Sequence, residues 1–301
     1  MTAAEHFETS SKKGRGLGRR SLELIEELRT TVAGIQPVTG RGVGYKLFTV
    51  GLIPSMARKE MQRVYRLLKE ARERELIPWD WIVDETRAVE RTSTWDNPAH
   101  YARCVAQSYR RDFWNQQPCR VLVVSEKGTV RGLLRPVLDH FAVGFQVMHG
   151  FSSATIIHDL SEDDDGRPLI ILYVGDFDPS GMFMSEEDLP NRFSKYDGDH
   201  VELRRIALTR DQVSGLPSFS ATDKRKDPRF RWFVANHGDR CWELDAMDPN
   251  DLRDCVERAI VDLIEPVAWA RCEAVNKAEQ ESLRTIIAKW GAADDNSGGA
   301  S

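Results

Sequence analysis

The chain has 301 residues, enough for one large domain or two ordinary ones. Its 41% hydrophobic and 30% charged residues are typical of a soluble globular protein and exclude a wholly disordered chain. The sequence contains no apolar run of about 18 residues and no apolar secretion signal near its start, so we expect a cytoplasmic protein without a membrane segment. Five scattered cysteines, none in a C-x-x-C pair, favour a reducing compartment over a disulfide framework or a zinc site.

The net charge of −5 conceals an asymmetry along the chain. Between Lys12 and Arg74 there are 15 Lys and Arg residues against 6 Glu, a balance of +9, which leaves −14 for the rest. A basic front on an acidic body indicates that the front contacts a polyanion and that the acidic part holds a metal or is simply solvated. An uneven but solvated surface is the alternative.

Three helices are predicted in the basic front. The first opens at Ser21, a candidate N-cap, and the second follows Thr39, another candidate N-cap, although its glycines lower its helix propensity. The third, over 57–75, is the clearest because its apolar residues recur at helical spacing and its other faces are basic. This apolar stripe consists of Met61, Val64, Tyr65, Leu68 and Ala71.

The segment 77–90 predicts two short extended pieces after the third helix. Three helices and a hairpin, with the most basic helix third, are typical of a winged-helix DNA-binding module, here over 21–92. A small helical domain with an ordinary solvated face is the alternative. A connecting helix is predicted over 93–119, and residues 1–20 and the last eleven residues are expected to be frayed tails.

The pattern changes at Arg120. Apolar runs that begin near residues 120, 144, 168 and 201 alternate with helical segments, and such continuous runs indicate a mostly parallel sheet covered on both faces. We therefore predict an α/β fold in which an N-terminal helical module precedes an α/β domain over 120–270. One long C-terminal helix is predicted from about Asp251 to Trp290, so that 271–301 would be helix and tail.

Three carboxylates follow two of these apolar runs. Glu126 ends the first run, and Asp176 and Asp178 end the run over 168–174. The carboxyl ends of parallel strands meet at one edge of a sheet, where ligands bind, so these side chains should converge. Hard oxygen ligands of this kind suit Mg²⁺, with Mn²⁺ as an alternative. A solvated loop whose acids only cap the next helix is the other interpretation.

The segment from Asp176 to Ser180 also fits the D-x-D-x-[ST] opening of haloacid-dehalogenase-like phosphatases. In those enzymes the motif ends the first strand of the fold. Here a strand–helix–strand unit with its own Glu126 precedes the motif, which argues against this class.

The ordered combination of a strand-end Glu126 and the later GDFDPSG (175–181) resembles the Toprim domain, in the version found in the A subunit of topoisomerase VI and its meiotic double-strand-break relatives. Arg41-Gly-Val-Gly-Tyr45 is similar to the R-x-x-x-Y motif of that family. ELRRIALTRDQV, DPR and CWELDAM resemble the region after its Toprim core. The likeness covers roughly residues 21–270 and is strongest to short stand-alone bacterial or phage-type homologues. The residue before the tyrosine, usually aromatic in the family, is Gly44.

This resemblance implies an activity and a set of site residues. Tyr45 would attack a DNA phosphate and form a phosphotyrosyl link, and Arg41 would stabilise the charge on that phosphate. Glu126, Asp176 and Asp178 would hold Mg²⁺. The partners would be double-stranded DNA, a second copy of the chain in a homodimer and a separate ATPase subunit, and the location would be the nucleoid in a bacterium.

Three functions remain open at this stage. The first is tyrosine transesterification, as in a topoisomerase A subunit. The second is a hydrolytic Toprim nuclease in which metal-bound water attacks and Tyr45 is structural. The third is a DNA-binding or scaffold protein that keeps the fold without cleaving.

Overall fold

The computed structural model describes residues 19–83, 92–148 and 154–297. The first part of the chain contains, in order, α1 (Arg19–Ala33), β1 (Val38–Thr39), α2 (Gly40–Thr49), α3 (Arg58–Glu73), β2 (Ile82–Val83) and α4 (Pro98–Ser108). The central part contains β3 (Arg120–Ser125), α5 (Thr129–Phe141), β4 (Gly144–Val147), α6 (Ala154–Glu162), β5 (Leu169–Val174), α7 (Pro179–Phe183), α8 (Leu189–Lys195) and β6 (Val201–Ala207). The last part contains β7 (Phe219–Ser220), α9 (Phe230–His237), β8 (Arg240–Cys241), α10 (Pro249–Val261) and α11 (Pro266–Ser297).

The N-terminal module (residues 19–83) packs α1, α2 and α3 around an apolar core of its own. The predicted stripe of α3 is largely confirmed, because four of its five members are buried. Tyr65 is the exception: its side chain is 43% exposed, and Leu67 is buried instead. The first helix begins at Arg19 rather than after Ser21, because arginine is itself a good helix former and prolongs the helix backwards.

Thr39 caps α2 as predicted, its hydroxyl oxygen accepting a hydrogen bond from the Gly42 amide at 2.8 Å. The described strands of the module form a pairing that was not predicted. Residues 82–83 pair in parallel with residues 38–39, because the whole of α2 and α3 lies between the two strands in the chain. The second extended piece expected near residues 84–90 and the expected tail at 1–18 lie outside the described residues.

The central sheet has four strands in the order β4-β3-β5-β6, and every pair is parallel. All six residues of β5 are buried, as its continuous apolar sequence predicts for a central strand. Helices α5 and α10 belong to the core on one face of the sheet, and α6 and α8 cover the other face. The prediction of a mixed α/β protein with a mostly parallel sheet is confirmed.

Two helix predictions were wrong in length. The connecting helix ends at Ser108 instead of spanning 93–119, because the following backbone is engaged by α11: Asn276 accepts from the Arg111 amide and Gln280 donates to the Tyr109 carbonyl. The single C-terminal helix is in fact two, α10 and α11, separated at 262–265. Pro266 cannot continue a preceding helix but is well suited to open one.

Helix α11 runs back along α4 and extends to Ser297, so most of the last eleven residues are helical rather than frayed. Glu279 on α11 accepts hydrogen bonds from the Tyr109 hydroxyl at 2.7 Å and from Arg111 at 2.6 Å. The residues described here include no helix that is both long enough and apolar enough to span a membrane.

Candidate functional site

The carboxylates predicted to converge do lie at one edge of the sheet. Strands β3 and β5 are paired along their whole length, with Ser125 opposite Val174 at the end of the register. Glu126 is the next residue after β3, and Asp176 and Asp178 follow β5 by two and four residues. Parallel pairing thus places all three at the C-terminal edge, where α/β proteins bind ligands.

Asp178 is the most deeply buried of the three, with 4% of its surface exposed. Its Oδ1 accepts a hydrogen bond from the Gly181 amide at 2.8 Å and thereby caps α7. Its Oδ2 lies 3.1 Å from the ammonium of Lys224. The helix-capping role considered for these acids is therefore real for Asp178, and a lysine also neutralises its charge.

Asp176 is held by a second lysine. Its Oδ1 accepts from Lys127 Nζ at 2.9 Å and from the Leu244 amide at 2.8 Å. Burial raises the pKa of Asp176, and the Lys127 ammonium partly offsets this rise. Lys127 also reaches Asp245 at 3.2 Å, and although burial alone would lower its pKa, the two carboxylates raise it, so it stays charged.

Glu126 is the least neutralised member of the group. The Ser180 hydroxyl donates to it at 3.2 Å, and within the described part of the chain it forms no ion pair of the kind its two neighbours have. Burial raises its pKa, and the negative charge of Asp178 raises it further. This carboxyl is thus the one with the strongest electrostatic demand for a cation.

The donor chemistry at this edge fits a hard divalent cation, since it consists of carboxylate oxygens whose negative charge is incompletely compensated. Nevertheless, across the described ranges no three His, Cys, Asp or Glu side chains are gathered closely enough to hold a metal ion. The ammonium groups of Lys127 and Lys224 bond Asp176 and Asp178 in this arrangement. The structure therefore shows a carboxylate site in which lysines pair with Asp176 and Asp178 but, among the described residues, not with Glu126.

Sequence reasoning missed Arg205, which holds the loop between β5 and α7 in place. A guanidinium has five N–H donors, and all five are used here. The acceptors are the carbonyl oxygens of Gly175, Asp176, Gly181 and Leu208 and the Ser185 hydroxyl. An arginine within the strand directly beside the Asp-x-Asp strand was the available signal. Arg205 fixes the backbone on which Asp176 and Asp178 are mounted.

The predicted pair of Arg41 and Tyr45 lies on α2, one helical turn apart. The Arg41 guanidinium carbon is 5.8 Å from the centre of the Tyr45 ring. Tyr45 is only 6% exposed, and burial together with the negative charge of Glu243 raises its pKa to about 12, against an opposing effect of Arg41. In this conformation the phenol is protonated at neutral pH.

Gly44, which precedes this tyrosine, is closely packed against α3. A Cβ atom at Gly44 would lie 2.4 Å from the sulfur of Met61. The absence of an aromatic residue at this position therefore has a packing reason, since Met61 fills the space beside the helix.

Residues 243–245, here called the bridging segment, join the tyrosine pair to the carboxylates. Glu243 accepts two hydrogen bonds from the Arg41 guanidinium, one of them at 2.7 Å. The Leu244 amide donates to Asp176, and Asp245 accepts from the Thr39 hydroxyl at 2.5 Å. The segment CWELDAM carries a family resemblance, but no sequence pattern indicated this bridging role.

Further contacts strengthen the same junction between α10 and the N-terminal module. Lys46 on α2 pairs with Asp248 at 2.8 Å, and Asn250 donates to the Gly34 carbonyl at 3.0 Å. The buried guanidinium of Arg253 donates to the carbonyl oxygens of residues 35–37. The junction is therefore built largely from charged and backbone groups.

The fold and site together define a mixed α/β protein with a carboxylate–lysine cluster at the C-terminal edge of a parallel sheet. A half-exposed Arg41 and a buried Tyr45 are linked to this cluster. In comparisons with known proteins, no family model, no curated protein and no solved structure matches the chain.

Proposed function

We propose that this protein cleaves DNA by tyrosine transesterification, in the manner of a type IIB topoisomerase A subunit, with a winged-helix module joined to a Toprim-like domain. Tyr45 is the nucleophile and Arg41 the residue that binds the phosphate. Glu126, Asp176 and Asp178 would hold Mg²⁺ or Mn²⁺ once Lys127 and Lys224 release Asp176 and Asp178. The observation that carries the proposal is the direct link, through three consecutive residues, between the Arg–Tyr pair and the Asp-x-Asp loop.

The proposed chemistry conserves the phosphodiester bond energy. The Tyr45 hydroxyl oxygen attacks phosphorus, its proton leaves to solvent, and the P–O bond to one deoxyribose oxygen breaks. That sugar oxygen takes up a proton, so the products are a phosphotyrosyl diester and a free hydroxyl end. A divalent cation bound at the carboxylates would supply positive charge against the phosphate.

Arg41 has to change partner for this reaction to proceed. In the structure its guanidinium is bonded to Glu243, and the phenol of Tyr45 has a pKa of about 12. A DNA phosphate that competes with Glu243 for Arg41 would place a positive charge between the phosphate and the phenol. The structure thus represents a resting conformation in this proposal, and DNA would be the agent that opens it.

The basic surface of α3 supports DNA as the substrate. Arg58, Lys59, Arg66 and Lys69 are exposed along this helix, which lies in the part of the chain with the +9 charge. Such a surface favours phosphate contacts, and the logarithm of the binding constant should fall by about 0.9 per phosphate contact for each tenfold rise in salt. A mobility-shift titration at several salt concentrations measures this slope.

A detergent-quench assay tests the nucleophile. Wild-type protein incubated with supercoiled DNA and Mg²⁺ or Mn²⁺ should give protein covalently linked to DNA ends. Tyr45→Phe keeps the ring and should abolish the adduct, and Asp176→Ala should reduce it sharply without loss of DNA binding at low salt. Tyr101→Phe, a change at an exposed tyrosine on α4, is the matched control and should behave as wild type.

Two other outcomes correspond to the competing functions. Hydrolysis, favoured by the burial of Tyr45, would give free DNA ends that persist in Tyr45→Phe and disappear in Asp176→Ala. A non-cleaving DNA-binding protein is favoured by the lysines that already neutralise Asp176 and Asp178, and it would leave DNA intact under all conditions. A homodimer and a separate ATPase subunit remain predictions, and the assay should be repeated if such a partner is found.

A further inference from the structure

A cavity of about 470 Å³ opens between the N-terminal module and the α/β part of the chain. Its walls come from the start of α2, one face of α3, strand β2 and the connection from β3 to α5. None of the three carboxylates at the sheet edge lines it. The cavity is therefore distinct from the carboxylate edge, although it shares Thr39, Arg41, Lys127 and Asp245 with the site described above.

One wall of the cavity is cationic. Arg41, Arg72 and Lys127 contribute positive charges from three different elements, and Asp245 contributes a negative one. Arg41 is bonded to Glu243, and Lys127 is bonded to Asp176 and Asp245, so an anion bound at this wall would compete with these carboxylates. The first turns of α2 and α5 also border the cavity, and helix N-termini favour anions.

The opposite wall is apolar and includes an exposed aromatic ring. Tyr65 is 43% exposed although it lies among the predicted core positions of α3. Its ring packs on Gly40, where a Cβ atom would come within 3.0 Å of it, so the ring is held in place over the cavity. Leu68, Ile82 and Val83 complete this wall.

We infer that this cavity binds one nucleoside monophosphate unit, with the base or sugar against Tyr65 and the phosphate at Arg41, Arg72 and Lys127. Base–aromatic stacking and charge-assisted hydrogen bonds are the interactions that recognise the two halves of a nucleotide. The volume lies in the range of small-molecule sites and is larger than a bare phosphate needs. The assignment of this unit to a DNA strand, rather than to a free nucleotide, rests on the proposed function, since Arg41 would then hold the adjoining phosphodiester.

Calorimetric titration of the full-length chain tests the inference, with thymidine 5′-monophosphate, thymidine and inorganic phosphate as separate probes and no divalent metal. The monophosphate should bind at least tenfold more tightly than either of the other two. Arg72→Ala and Tyr65→Ala should each weaken its binding at least tenfold. Arg103→Ala, which removes an exposed arginine of α4 away from the cavity, should leave binding unchanged.

Three results would overturn the inference: no binding of the monophosphate, equal binding of inorganic phosphate, or an equal loss in Arg103→Ala. Circular dichroism melts identify a variant that fails to fold. Arg72→Ala also removes the packing of Arg72 on the Trp79 ring, 4.8 Å away. If this loss prevents folding, Tyr65→Ala still tests the cavity, because Tyr65 is exposed.

A competition experiment distinguishes a DNA strand from a free nucleotide as the source of the bound unit. A single-stranded oligothymidylate should displace the monophosphate from wild type, and Arg72→Ala should weaken the oligonucleotide as well. Retention of the monophosphate in the presence of excess oligonucleotide would overturn the assignment to DNA. Tyr45→Phe should bind the monophosphate as wild type does, so a failure of the covalent-adduct assay and a failure of this inference are distinguishable.

Discussion

Replacement of Arg205 by Ala should destabilise the protein strongly. It removes five hydrogen bonds at once and leaves their acceptors without a donor. Four of the acceptors are backbone carbonyl oxygens of the loop and strand ends next to the carboxylates. A buried acceptor left without a donor typically costs about 1–3 kcal/mol, and several of these carbonyl oxygens would lose a donor, so we expect a total of about 3–5 kcal/mol. For a chain of this size that corresponds to a fall in Tm of roughly 10 °C.

Thermal melts followed by circular dichroism measure the effect, and the neighbouring arginine provides the control. Arg204 is 43% exposed at its side chain and pairs with Glu202, two residues earlier on the same strand. Exposed pairs contribute about 0–1 kcal/mol, so Arg204→Ala should shift Tm by no more than a few degrees. Equal shifts in Arg205→Ala and Arg204→Ala would refute the view that Arg205 secures the Asp-x-Asp loop.

Three further predictions concern the same region. Gly181→Ala should cost about 2 kcal/mol or more, because its Cβ would lie 2.3 Å from a backbone carbonyl oxygen, whereas Gly128→Ala meets nothing closer than 3.9 Å and should be tolerated. Glu126→Gln should raise Tm at pH 7 but not near pH 4: burial raises the folded-state pKa of this carboxyl, so its charge costs stability only as pH rises above the unfolded-state value. Glu243→Gln should lower the pKa of Tyr45 from about 12, because it removes a negative charge that raises this pKa. Phenolate absorbance, taken as the difference from a Tyr45→Phe background, measures this shift.

Each of these three has a result that contradicts it. Similar melting temperatures for the two glycine variants would show that the turn before α7 has room for a methyl group. A stability gain in Glu126→Gln that is as large at pH 4 as at pH 7 would assign the gain to packing rather than to charge. An unchanged or higher Tyr45 pKa in Glu243→Gln would mean that burial alone determines it.

The central sheet could be predicted because its strands are buried on both faces. A strand such as β5 has to be apolar at every position, and that continuous run is visible in one sequence. The same reasoning placed Glu126, Asp176 and Asp178 at one edge of the sheet. Parallel strands end at the same edge, so carboxylates that follow them closely in the chain lie there. The Thr39 cap of α2 was likewise predictable from local chemistry alone.

The features that escaped prediction depend on contacts between distant parts of the chain. Lys127 and Lys224 look like ordinary surface lysines in the sequence, and only the fold brings them to Asp176 and Asp178. The exposure of Tyr65 follows from the cavity beside it, which no helical periodicity can reveal. Parallel pairing of residues 38–39 with 82–83 also depends on contacts between distant parts of the chain, which the local sequence does not specify.

The bridging segment offers a direct physical route for coupling between the two halves of the site. Glu243 binds Arg41, and the adjacent Leu244 amide binds Asp176. If an anion takes Arg41 away from Glu243 and thereby changes the affinity of the carboxylates for a cation, that cation must change the affinity for the anion by the same factor. Under this coupling, the protein has four states: free, with the anion, with the cation, and with both. The binding constant of either ion measured alone would then not give its affinity when the other ion is bound.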